Sequence, residues 1–81
     1  MTNSVRAILA SLDRPKAHIV YNVMTTEATL YDGSEGSPRM GSTIAREDLE
    51  FIFDNGWITK YETRDGEHRY RLTETGSTAI R

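Results

Sequence analysis

Apolar residues between Ser4 and Leu12 recur at helical spacing: Val5, Ile8, Leu9 and Leu12. This predicts a short first helix with Ser4 as its N-cap. Asp13-Arg14-Pro15 then reads as a stop and a new start, because Asp caps and Pro fits a first helical turn. From Pro15 to Tyr31 two periods overlap. Ala17, Val20, Tyr21, Met24 and Ala28 make a helical stripe, while the run Ile19-Val20-Tyr21-Asn22-Val23 suits a strand. The proline start and the length of the segment favour a second helix. The stretch 32–41, DGSEGSPRMG, is a loop by composition. Ser42 or Thr43 then caps a third helix running to about Asn55. Its apolar residues Ala45, Leu49, Ile52 and Phe53 share one arc of roughly 100°. Asn55-Gly56 ends it, since Gly tolerates the left-handed conformation.

The pattern then switches to a period of two. Trp57 to Thr63 and His68 to Thr73 flank Asp65-Gly66, the signature of a type I′ hairpin turn. That turn pairs Arg64 with Glu67, Thr63 with His68, Glu62 with Arg69 and Tyr61 with Tyr70, and sets Thr59 opposite Leu72. Alternation then places Trp57, Thr59, Tyr61, Tyr70 and Leu72 on one face. Ile58, Lys60, Glu62, Arg64, Arg69 and Arg71 fall on the other. Lys60 and Arg71 become a like-charged pair, which costs stability unless an anion lies between them. Thr73 caps a last short helical turn, TETGSTAIR, which Gly76 keeps short.

Composition narrows the possible functions. A chain of 81 residues makes one domain, 1–81, with a stability on the order of 5 kcal/mol. No apolar run approaches the roughly 18 residues of a membrane span, and the N-terminal apolar stretch is too short for a secretory leader. With no cysteine there is no disulfide and no thiolate metal site. A cytoplasmic location is expected. Two histidines without HExxH spacing give no metal site, and no nucleophile elbow or clustered carboxylates suggest catalysis. No cofactor is expected. The net charge of −2 runs against a dedicated nucleic-acid binder, which is usually basic.

The segment from Ser42 to Gly76 carries a family resemblance. Leu49 to Ile58 reads LEFIFDNGWI, a charged hairpin tip follows at Thr63 to His68, and Leu72-Thr73-Glu74-Thr75-Gly76 closes the second strand. In order and spacing this resembles winged helix-turn-helix regulators of the MarR and PadR kind. The match covers about 35 of 81 residues, in the C-terminal part only. The resemblance implies a small α+β winged-helix domain, about three helices with a two-stranded β-hairpin wing. It also implies a groove-reading helix from Thr43 and a wing touching the DNA backbone or minor groove.

Two functional readings follow. In the first, the domain is a small DNA-binding regulator, expected as a homodimer on double-stranded DNA. Lys60, Arg64, Arg69 and Arg71 hold phosphates from the wing, with His68 near its tip. Ser42, Thr43 and Arg46 meet the groove at a helix N-terminus, where free N–H groups bind phosphate. The loop with Arg39 is a further candidate backbone contact. It lacks the Gly-Lys-Ser/Thr ending of a P-loop. In the second reading the domain is a non-enzymatic protein-interaction module, an adaptor or small inhibitor. It meets its protein partner through Glu47 and Glu50 and the second apolar stripe of Ile44 and Phe51. The exposed arc of the third helix (Arg46, Glu47, Glu50, Asp54) has three acids against one base, which opposes insertion into a groove.

Overall fold

The β-branched run beginning at Ile19 decides the first half of the chain. The segment from Pro15 to Tyr31 is not the expected helix. It forms a β-hairpin, strands β1 (His18–Asn22) and β2 (Glu27–Tyr31). The turn is stabilised locally: Asn22 Oδ1 accepts from the N–H groups of Met24 and Thr25 at 2.8 and 3.2 Å. This is an Asx turn, which competes with helix for the same backbone donors. Thr26 completes the reversal with φ 58°. Before it, helix α1 (Asn3–Leu12) buries Val5, Ile8, Leu9 and Leu12 as their spacing predicts. Its cap is Thr2, not Ser4, with the Thr2 hydroxyl accepting from Val5 N–H at 3.1 Å. Asp13-Arg14-Pro15 leads out of α1 into β1.

The computed structural model describes residues 1–31 and 42–81, so the expected loop at 32–41, Arg39 included, lies outside the described residues. The predicted helix caps Ser42 and Thr43 are instead in a short strand, β3 (Ser42–Ile44). Helix α2 (Arg46–Asp54) begins after it, with Ala45 as an N-cap that makes no side-chain hydrogen bond. Strands β4 (Ile58–Arg64) and β5 (Glu67–Leu72) and helix α3 (Glu74–Ala79) complete the chain.

The strands form one antiparallel sheet in the order β3-β2-β1-β5-β4. This overturns the winged-helix expectation. A wing is a free hairpin beside a helical body, whereas here β5 is hydrogen-bonded on both sides and β1 is the central strand. Among the described residues three short helices are present, but the second predicted one is replaced by β1 and β2. The core joins Val5, Leu9 and Leu12 of α1 and Ile52 of α2 to Ile19, Ala28, Ile44 and Ile58 of the sheet. Helices α1 and α2 therefore lie on the sheet face that carries Ile19, and Ile80 at the end of α3 packs against the same core. Val20, buried but on the opposite face, sits between its pairing partners Thr29 and Arg69.

The C-terminal hairpin keeps its predicted turn, with Asp65 at φ 51° and Gly66 at φ 78°. The pairs Arg64–Glu67, Thr63–His68 and Glu62–Arg69 also form. A bulge between Lys60 and Glu62 then shifts the register. Lys60 pairs with Tyr70, Thr59 with Arg71 and Ile58 with Leu72. An extra residue in one strand exchanges the faces of everything beyond it. So Ile58 enters the core, Tyr61 meets Arg71 instead of Tyr70, and the expected Lys60–Arg71 repulsion does not arise.

The Leu-Thr-x-x-Gly string has a local structural role independent of any wing. Thr73 Oγ1 accepts from Gly76 N–H at 3.0 Å and donates to the Gly56 carbonyl at 2.8 Å. Thr73 N–H donates to the Trp57 carbonyl at 2.9 Å. Gly76 is buried against that same carbonyl, where a Cβ would sit 2.4 Å from the oxygen. These contacts fasten α3 to the Asn55-Gly56-Trp57 corner.

Candidate functional site

Helix α2 carries four acids and one base in the sequence REDLEFIFD. Its single fully buried residue is Ile52, and that leaves the phenylalanines on either side of it pointing along the two flanks. Phe51 is 42% exposed and Phe53 is 54% exposed, although Phe53 belongs to the arc expected to face the core. Each rests edge-on against one aromatic of the sheet layer. Phe51 meets Trp57 with ring centroids 5.7 Å apart, and Phe53 meets Tyr70 at 6.0 Å. Burying a phenylalanine contributes about 1.5–3 kcal/mol relative to leaving it exposed. Two such phenylalanines on a nine-residue helix form an exposed apolar patch.

Phe53 is also one wall of a groove of about 300 Å³ between α2 and the sheet. Alternation along β1 places Tyr21 two residues after Ile19, on the helix-bearing face but beyond the reach of α1. With Ala28, Ile44 and Tyr70 it makes an apolar, aromatic floor. The Tyr21 ring stacks parallel to His68 at 6.3 Å, which fixes it in place. Burial raises the Tyr70 phenol above the ordinary tyrosine value, and neighbouring Tyr21 adds to the rise. The rim is charged: Glu50 and Asp54 with Arg46. Arg46 is itself drawn to Glu50 at 3.7 Å, so the rim is acidic in balance.

The residues expected to hold phosphate do not come together as a basic face. Arg64 pairs with Glu62 at 2.7 Å. Arg69 lies 3.9 Å from Glu62 and 3.4 Å from Glu67. The Nε of Arg69 is buried without a hydrogen-bond partner. Lys60 stands on the helix-bearing side of the bulge, while Arg71 leans over the Tyr61 ring at 5.6 Å on the other side. His68 is in β5, paired with Thr63, and is part of the groove's support rather than of a wing tip. Ser42 and Thr43 are exposed on β3, where their backbone pairs with β2 and offers no helix N-terminus. Two features divide the hairpin's cations: the bulge between Lys60 and Glu62, and the carboxylates of Glu62 and Glu67 beside Arg64 and Arg69.

The residues expected to meet a protein partner fare differently. Glu47, Glu50 and Phe51 are exposed on α2, but Ile44 is buried and belongs to the groove floor. It precedes the helix, so it forms no stripe with Phe51. Sequence reasoning missed Tyr21, Phe53 and Tyr70 as a group. Reading Ile19 and Tyr21 as one strand face would have placed Tyr21 beside the core, but not the rest of the floor. Nothing in the sequence marks Phe53 as the exposed end of its arc.

Among the described residues no group of His, Asp and Glu has the arrangement to hold a metal ion, and no helix is long and apolar enough to cross a membrane. No protein-family model, no curated protein and no solved structure matches this chain.

Proposed function

We propose that this domain is a non-enzymatic protein-interaction module. Its groove beside α2 takes a basic segment of another protein, anchored by an apolar or aromatic side chain. The observation that carries this is the combination on one helix: Phe53 exposed over an aromatic-floored groove, with Glu50 and Asp54 at its lip. An apolar floor supplies affinity by excluding water, and the acidic rim selects a cationic partner and speeds encounter. Phe51, with Glu47 nearby on the helix, extends the contact surface to the other flank.

DNA binding through the hairpin has less support, because Arg64 and Arg69 are already neutralised by Glu62 and Glu67. The test is selection of random displayed peptides on the immobilised domain, run in parallel with Phe53→Ser. Enrichment of Lys/Arg-rich sequences with one large apolar residue, lost with Phe53→Ser, is the expected result. Sequences that bind both proteins equally, or no enrichment, would overturn the proposal. So would concentration-dependent dimerisation in sedimentation that Phe53→Ser abolishes, since a second copy would then fill the groove.

A further inference from the structure

A second concavity, of about 700 Å³, opens at the other end of the molecule and shares no lining residue with the α2 groove. It lies between the turn after α1, the end of β5 and helix α3. Four cations line it: Arg14 and Lys16 from the turn, Arg71 from β5 and Arg81 after α3. Among the described residues none of these four is in an ion pair, whereas Arg46, Arg64 and Arg69 each have a carboxylate. The cations converge in a chain whose net charge is −2. Two acids share the cleft. Asp13 is engaged, its Oδ1 accepting from the Ser77 hydroxyl at 3.2 Å, and this bond ties α1 to α3 and holds the cleft walls together. Glu74 stands in the first turn of α3.

The cations are set on ordered backbone. Lys16 is held at φ 69°, a conformation a lysine adopts at a cost of roughly 1 kcal/mol. Its carbonyl meets the His18 ring nitrogen at 2.9 Å, and Ala17 N–H donates to the Arg14 carbonyl at 3.2 Å. Arg71 is steadied over the Tyr61 ring, a contact that leaves its charge and its N–H fork available.

We infer that this cleft is a binding site for a phosphate-bearing ligand, with Arg14, Lys16, Arg71 and Arg81 as its cations and Tyr61 as a stacking surface. Several cations around one cleft match the multiple oxygens and charge of phosphate or polyphosphate. The exposed aromatic beside Arg71 suits the planar base of a nucleotide or single strand. The phosphate could come from a nucleic-acid strand or from a free nucleotide or polyphosphate.

The experiment measures anisotropy of a fluorescein-labelled single-stranded oligonucleotide of about 12 nucleotides, a length on the scale of such sites, across a salt series. Inorganic triphosphate, duplex DNA and poly-glutamate serve as competitors. Binding should weaken with salt. It should fall about tenfold in Arg71→Gln and in Arg14→Gln, with a salt slope shallower by about one for each cation removed. Arg81→Gln, beyond the last helix, tests the site without touching the core, and Arg6→Gln on the exposed side of α1 should leave binding unchanged. Full displacement by triphosphate assigns a free-phosphate site, and displacement only by nucleic acid assigns a strand-binding one. If triphosphate binds directly while the oligonucleotide does not, the site is again one for free phosphate. The inference falls if none of these phosphate probes binds at low salt, if Arg14→Gln, Arg71→Gln and Arg81→Gln all bind as wild type, or if poly-glutamate competes as well as phosphate does.

Discussion

Tyr70 reports on the groove from within it. Burial holds its phenol neutral beyond the ordinary tyrosine range of about 10, and Tyr21 reinforces this. Because its pKa is raised on folding, the stability it contributes is complete below the unfolded value. That stability is lost as pH rises through the folded value. Absorbance titration of the four tyrosines should show one ionising late. Tyr70→Phe should remove that late step, and Tyr21→Phe should move it to lower pH. Uniform titration of all four would contradict the half-buried position of Tyr70. Gly76 makes a comparable demand on space. A methyl group there meets the Trp57 carbonyl and Leu72, so Gly76→Ala should cost about 3 kcal/mol, the upper range for overpacking. An unchanged urea midpoint for that variant would show that α3 is not seated as described.

Among the elements, α2 is where folding and the proposed binding role pull apart. Its first turn holds Glu47 and Asp48, which suit the positive end of a helix, but Asp54 closes its last turn with no basic residue nearby in the helix. A carboxylate there opposes the helix dipole by a few tenths of a kcal/mol. Asp54→Asn should therefore raise the melting temperature slightly and weaken binding of the selected basic peptides. A variant that loses stability, or binds as before, would deny Asp54 the role given to it. The elements also show what the sequence made legible. Asp65-Gly66 announced its turn because only a few residues accept positive φ in succession, and Thr73 announced its cap by position. The hairpin of β1 and β2 was not announced. Its turn, Val23 to Thr26, contains neither Gly nor Pro and depends on one asparagine side chain. The bulge at Lys60–Glu62 has no mark in the sequence either, and it alone reversed the faces of Ile58 and Tyr61. The α2 groove stayed hidden because its floor combines strands whose adjacency is a property of the assembled sheet.

At the scale of the whole molecule the charge is divided. Acids collect on α2, and cations collect around the cleft formed by the first turn, β5 and α3. The modest net charge conceals this division, and a helical reading of 15–31 gave it no geometry. The sheet's central strand also predicts how stability is distributed. Ile19 and Val20 are bonded to strands on both sides, so their amides should be among the slowest to exchange with deuterium, while those of edge strand β4 exchange sooner. Faster exchange in β1 than in β4 would contradict the strand order.

That central position has a kinetic consequence. Each hairpin closes through a short turn, but β1 and β5 join the beginning of the chain to its end. The rate of folding is then governed by closure of that long gap, a cost in chain entropy paid before the sheet can gain from it. Substitutions at the β1–β5 seam should slow refolding. Substitutions in α2 that leave the seam alone should act mainly on the rate of unfolding.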